Sequence, residues 1–168
     1  VTTANLSAVN NAVAAAAAGQ ADTTAEIQAL VAHAIITADI VGYITAGPVL
    51  PSHELSVKIF DANGNVLQEG IKVDAKTGGY RAQLVGYVGA FVVVVDDAGA
   101  GKDYMDEAIR DGKDLTATLL AAAVIPAGGG EIHVNLNVLT TAAAIQAGIP
   151  AGGPGKQVVL ADGVLAAN

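Results

Sequence analysis

The sequence predicts a mainly β chain with some α: an antiparallel β-sandwich over residues 43–150, preceded by a helical segment over 1–42 and followed by a linker with a C-terminal strand or tail over 151–168. Three observations predict it. The apolar period changes from three-to-four to two near Tyr43. Short apolar-alternating stretches then recur about every ten residues with Gly and Asn turn signals between them, the pattern of a sandwich rather than of a parallel sheet. Finally, Phe91 to Val95 is apolar on both faces, as a central strand must be when both sides are covered.

Element by element, Leu6, Val9 and Val13, then Ile27, Leu30, Val31 and Ile35, lay one apolar stripe on each of two helices, a helical hairpin separated at Gly19. Asp22 or Thr23 followed by Glu26 has the form of a capping box, and Thr2 or Thr3 could cap the first helix in the same way. Leu55, Val57 and Ile59 share one face of a strand that turns at Asp61-Ala62-Asn63-Gly64-Asn65, where Asn-Gly is a strong hairpin signal. A strand from Val66 to Val73 follows, then a turn at Lys76-Thr77-Gly78-Gly79. Tyr80, Ala82 and Leu84 alternate with Arg81 and Gln83. After an acidic loop come Leu115 to Val124 and a glycine-rich turn. In the next strand, Ile132, Val134, Leu136 and Val138 point one way and Glu131, His133, Asn135 and Asn137 the other. A short helix from Thr140 to Ala147 stops at Gly148 and Pro150.

A chain of 168 residues makes one domain, or one of about 100 residues with a smaller helical piece. It is 52% hydrophobic but only 4% aromatic, without Trp, so its core is built from small and β-branched side chains. A net charge of -8 argues against nucleic acid or an anionic membrane as partner, since both require basic patches. With no cysteine, disulfides and thiolate metal sites are excluded. The chain starts at Val1 with no signal-like segment, which reads as a processed chain or an excised fragment. No apolar run approaches the roughly 18 residues of a membrane helix, so no membrane insertion is expected.

The stretch Phe91 to Gly112, FVVVVDDAGAGKDYMDEAIRDG, concentrates the charged chemistry. A strand entering Gly99-Ala100-Gly101-Lys102 imitates a phosphate-binding loop, but the spacing fails: the early glycine position holds Asp96, and Asp103 stands where a magnesium-binding hydroxyl belongs. Carboxylates there would repel a phosphate. The same residues suit a hard cation instead. Asp96, Asp97, Asp103, Asp106 and Glu107 are candidate calcium ligands, because clustered carboxylates repel one another unless a cation joins them. The alternative is a solvated loop partly neutralised by Lys102, Arg110 and Lys113. Asp61, Asn63 and Asn65 have the alternate spacing of a calcium loop, but Lys72 takes the place of its closing glutamate, and an Asx-type turn accounts for them equally.

Enzymatic readings find less. A glycosidase carboxylate pair calls for an aromatic-lined cleft, and the four Tyr and two Phe offer no obvious platform in the sequence. His33, His53 and His133 are too scattered for a zinc motif. The serines Ser7, Ser52 and Ser56 lie in no nucleophile elbow.

Two stretches resemble giant bacterial surface adhesins exported by type I secretion. Thr2 to Val31, TTANLSAVNNAVAAAAAGQADTTAEIQALV, looks like their helical repeat. ITAGPVLPSHELSVKIFDANGNVLQEG, GGYRAQLVGYVGAFVVVVDDAG, DYMDEAI and VNLNVLTTAAA look like their immunoglobulin-like β-sandwich module, and together these cover about three quarters of the chain. Where such modules often read Thr-Pro-Leu-Thr, this chain has Asn137-Val138-Leu139-Thr140, so the strand is expected to run on. The resemblance implies an extracellular place on the bacterial surface or matrix, with neighbouring copies or adjacent modules as partners and a possible surface ligand that it does not identify. The expectation is a non-enzymatic structural or adhesive module. One form of it is a filament subunit, in which Val158 to Leu160 completes the sheet of the next copy by strand addition. A calcium- or carbohydrate-binding module is the alternative.

Overall fold

The computed structural model describes residues 6–17 and 19–154. Two helices, α1 (Leu6–Ala15) and α2 (Thr24–Ala34), lie in contact. Thr23 is the N-cap of α2: its hydroxyl accepts from the Glu26 amide at 3.3 Å, and the Glu26 carboxylate accepts from the Thr23 amide at 2.8 Å, which completes the expected capping box. The proposed cap of α1 at Thr2 or Thr3 lies outside the described residues.

The change of period that the sequence places near Tyr43 lies earlier in the chain. Strand β1 runs from Thr37 to Thr45 and buries Ala38, Ile40, Gly42 and Ile44 on one side. Its period of two is masked in the sequence because two of those four inward residues are Ala and Gly. There follow β2 (Leu55–Asp61), β3 (Val66–Lys72), β4 (Gly79–Val85), β5 (Gly89–Asp97), β6 (Tyr104–Asp106), β7 (Asp111–Lys113), β8 (Leu120–Ile125), β9 (Gly130–His133) and β10 (Leu136–Asn137). One four-stranded sheet is ordered β10-β1-β4 with β9 also on β1, and the other is ordered β3-β2-β5-β8. Strands β6 and β7 form a separate hairpin.

The two sheets are mostly antiparallel and bury one core between them. Ile40, Ile44, Tyr80, Leu84 and Leu136 from one meet Val57, Ile59, Phe91, Val93 and Ile125 from the other. Pairing is not antiparallel throughout, however: β1 runs parallel to both β9 and β10. The crossover from β8, in the opposite sheet, delivers β9 beside β1 in the same direction. Gly42 is required at this seam. A Cβ there would stand 1.8 Å from the Val134 carbonyl oxygen, and the bare backbone lets the buried Tyr80 hydroxyl donate to that same oxygen. Burial pushes the Tyr80 phenol above its ordinary pKa, so it stays a donor.

The expected continuation of strand through Asn137-Val138-Leu139-Thr140 is corrected. Helix α3 (Val138–Gln146) starts there, because the Asn137 side chain accepts from the amides of Leu139 and Thr140 at 2.8 and 2.9 Å, and Thr140 returns a bond to the Asn137 amide. Satisfying these orphan amides makes Asn137 a helix start. Ala144 of α3 and Ile149 beyond it cover Ala90, Val92, Val94 and Leu120, which form a second apolar cluster on the outer face of β5 and β8. The segment Val158 to Leu160, read as a strand for addition to another copy, lies outside the described residues.

Candidate functional site

Strand β5 delivers Asp97 to one pole of the molecule, and the loop after it is shaped by glycine for an anion of the protein's own. A Cβ on Gly99 would fall 1.5 Å from the Glu54 carboxylate. The Gly-Ala-Gly-Lys sequence therefore makes room for a glutamate side chain where a nucleotide-binding loop would hold phosphate.

The centre of this pole is Asp103, whose side chain is fully buried. Its Oδ1 accepts from the Glu54 amide at 3.1 Å and its Oδ2 from the Leu115 amide at 2.9 Å. Its own amide donates to the Lys113 carbonyl, and its carbonyl accepts from the Leu50 amide, both at 2.7 Å. Two bonds to the carboxylate and two to its own backbone thus hold Asp103 between the segments 50–54 and 113–115. Oxygen atoms of Asp97, Asp103 and Asp114 lie within 4.8 Å of one another. The Oδ1 of Asp114 is buried without a hydrogen-bond partner among the described residues. Burial, and then the negative charges of Asp97 and Asp103, raise the Asp114 carboxyl above the ordinary aspartate range. Among the described residues no lysine, arginine or histidine lies within 4.0 Å of these three carboxylates. Two species can relieve such an arrangement: a proton shared between carboxylates, or a hard divalent cation that accepts oxygen ligands.

The five expected ligands are divided by the fold. Asp97 and Asp103 are brought together. Asp96 points to the other face of β5 and pairs with Lys58 at 3.0 Å, where it raises the lysine's pKa. Asp106 accepts from the Ala108 amide at 2.9 Å inside the β6–β7 turn, and Glu107 is exposed in that turn. Lys102, expected to neutralise the loop, pairs with Asp111 at 2.6 Å. Sequence reasoning missed Asp114, though a signal existed. The hairpin pairs Asp106 with Asp111 and Tyr104 with Lys113. One step further along that register, Asp103 faces Asp114.

The other candidates take structural roles. The Asp61 carboxylate accepts from the Asn63 and Asn65 amides, each at 2.8 Å, and from the Asn65 side chain at 2.8 Å, so an Asx turn uses its oxygens. Burial works against that charge, but the Asn65 and Asn63 bonds prevail and lower its pKa. His53 accepts from the Leu55 amide at 3.1 Å, His133 pairs with Glu131 at 3.1 Å, and His33 stands in the last turn of α2.

No protein-family model matches the chain, and no curated protein is found to be similar to it. Among solved structures it is similar to a DUF3823 family protein from Parabacteroides merdae ATCC 43184, with 11% identity and a TM-score of 0.38. That match covers 61% of this chain and 45% of the other, so it spans less than half of that protein's length.

Proposed function

We propose that this chain is a non-enzymatic structural or adhesive module of a bacterial surface or matrix protein, and that calcium at Asp97, Asp103 and Asp114 stiffens one pole of it. On this reading the two sheets form an immunoglobulin-like sandwich, and α1 with α2 forms a helical hairpin joined to it. The adhesin-like stretches Thr2 to Val31 and Ile44 to Gly70 support the placement outside the cell. Assembly by strand addition would use an exposed sheet edge such as β3.

The observation that carries the calcium assignment is the convergence of three carboxylates with a buried, unpartnered oxygen on Asp114. Each comes from a different segment: the end of β5, the start of the β6–β7 hairpin and its exit. A cation there would tie the acidic loop at both ends to the sandwich, and binding only the folded form would stabilise it by mass action. The test is thermal unfolding of the chain in calcium and in chelator, beside Asp114→Asn. Calcium should raise the melting temperature of the parent. In chelator, Asp114→Asn should melt above the parent, because one repelling charge is gone, and it should have lost most of the calcium response. A parent whose melting is indifferent to calcium would remove the cation from this reading.

A further inference from the structure

The β3-β2-β5-β8 sheet ends in two unlike edges. Along β3 the pairing with β2 slips twice, between Val57 and Ile59 and again between Ile59 and Phe60, and Gly70 stands in the left-handed region at φ 66°. Glu69 and Lys72 add exposed charges, and Val73 just beyond is already bridged to Tyr80 of β4. Bulges and charges of this kind keep an edge from taking another strand. Strand β8 has neither. Its sequence, Leu120-Ala121-Ala122-Ala123-Val124-Ile125, holds no charge, proline or glycine, and it pairs with β5 without a register shift.

Alternation fixes which backbone groups of β8 look outward. The Val95 amide donates to the Leu119 carbonyl at 2.9 Å, so Ala121, Ala123 and Ile125 also bond β5, while Leu120, Ala122 and Val124 turn their N–H and C=O groups to the free side. Only the first of these is answered. The Leu120 amide donates to the Thr141 hydroxyl of α3 at 3.0 Å, which closes the edge at that end. The amides and carbonyls of Ala122 and Val124 have no partner among the described residues. Such evenly spaced groups specify an extended backbone as their occupant.

Both faces of this edge are apolar. Ala121 and Ile125 belong to the core between the sheets, with Ala123 packed against it, and Leu120 belongs to the cluster under α3, with Ala122 and Val124 packed against that one. Ala122, Ala123 and Val124 are only half-buried, so both cores run out to solvent at the same place. A strand laid there meets apolar surface on either side and must itself be apolar at consecutive positions. Beyond Pro154, the longest run of large apolar residues is Val158-Val159-Leu160. Position decides whose segment it is. Just before the described residues end, a Cβ on Gly153 would stand 3.4 Å from the Val94 side chain, and Val94 is the partner of Leu120. The chain's own continuation therefore starts at the end of β8 that Thr141 closes, and would have to run parallel to it. A segment from a second copy can enter from the open end at Ile125 and pair antiparallel, the stronger arrangement.

We propose that β8 receives Val158 to Leu160 of a second copy as an antiparallel strand. This pairing rests on the assembly reading above and deepens it, with β8 in place of β3 as the receiving edge. An edge and a segment at different places on one chain make a heterologous contact, which repeats into a filament when it does not close. The test is hydrogen exchange of the full chain, labelled when dilute and when concentrated, then quenched and read by NMR, with sedimentation giving the mass. In dilute solution the Ala122 and Val124 amides should exchange freely. As the mass rises with concentration they should slow by about tenfold or more. Val159→Pro, which removes an N–H from the added strand, should leave both amides fast at either concentration, and its unchanged melting temperature when dilute will show that it folds. Protection that is present at every dilution and is lost in Val159→Pro would put the chain's own segment on β8 and overturn the second copy. Protection that grows on the outward amides of β3 instead would overturn β8 while keeping assembly. Mass and exchange indifferent to concentration would overturn the pairing and assembly together, and leave the calcium dependence of melting, read separately, as it was.

Discussion

Strands β5 and β1 occupy comparable places, each inside a sheet with neighbours on both sides, yet they are buried differently. Every residue of β5 from Ala90 to Val95 is buried. Phe91, Val93 and Val95 face the core between the sheets, while Ala90, Val92 and Val94 lie under α3 and Ile149. In β1 only alternate residues are covered, and Asp39, Val41 and Tyr43 look outward beside Arg81 and His133. The two strands show what a second layer does: one covered face leaves the other open to solvent, and two covered faces place every side chain in a core.

Substitutions along the two strands will break or sharpen this contrast. Phe91→Ala, at a site with 0% exposure, should cost about 3–5 kcal/mol in urea unfolding. Ile149→Ala tests whether the cover on the outer face of β5 is true core, and should cost about 2–5 kcal/mol. A loss under roughly 0.5 kcal/mol, the usual bound for surface positions, would reduce β5 to a strand with one buried face. Gly42→Ala forces a methyl group onto the Val134 carbonyl, and overpacking of this kind should cost about 1–3 kcal/mol. Arg81→Gln, on the wet face, should change stability by less than about 0.5 kcal/mol, since its ion pairs are exposed. A larger loss would mean that the outer network of β1 supports the fold.

The smallest expected effect is a slope with pH. Asp114 holds its proton more tightly folded than unfolded, so its contribution is present at low pH and is lost as pH rises from the ordinary aspartate value of 3.8 through the raised one. Asp111, lowered by Lys102, and Asp74, lowered by Thr77, act in the opposite sense and stabilise as pH rises towards that value. The difference isolates Asp114. In chelator, Asp114→Asn should gain on the parent as pH increases above about 4, and a difference that stays flat with pH would contradict the proximity of the three carboxylates.

Much of the β architecture was legible because β5 and β4 announce themselves: a solid apolar run in one, and alternation of Tyr80, Ala82 and Leu84 with polar residues in the other. β1 was legible only in part, since Ala38 and Gly42 carry no apolar weight, and its inward face is defined by what Val134 and Tyr80 leave room for. The parallel pairing of β1 with β9 and β10 was hidden for a different reason. Direction is set by where the crossover from β8 lands, and no local residue encodes that. At the acidic pole, Asp97 and Asp103 were found by composition. Asp114 is eleven positions beyond Asp103 and is joined to it only through the register of a three-residue-strand hairpin. The place of the exposed Tyr43 ring likewise depends on Gly79 across the sheet, which a linear reading cannot pair.

The parallel seam also governs how the molecule would carry a mechanical load. The chain enters β1 at Thr37 and leaves β10 at Asn137, at opposite ends of the seam, because Ala38 to Val41 pair with Gly130 to His133 and Ile44 and Thr45 with Leu136 and Asn137. Tension drawn along the chain would slide these strands lengthwise and strain their bonds together, once α3 has yielded. An antiparallel hairpin such as β6–β7, pulled at its two ends, would instead unzip one bond at a time. Rupture under force follows the unfolding rate and not the equilibrium stability. A row of such modules would therefore hold its length until a threshold pull, and then lengthen in abrupt steps.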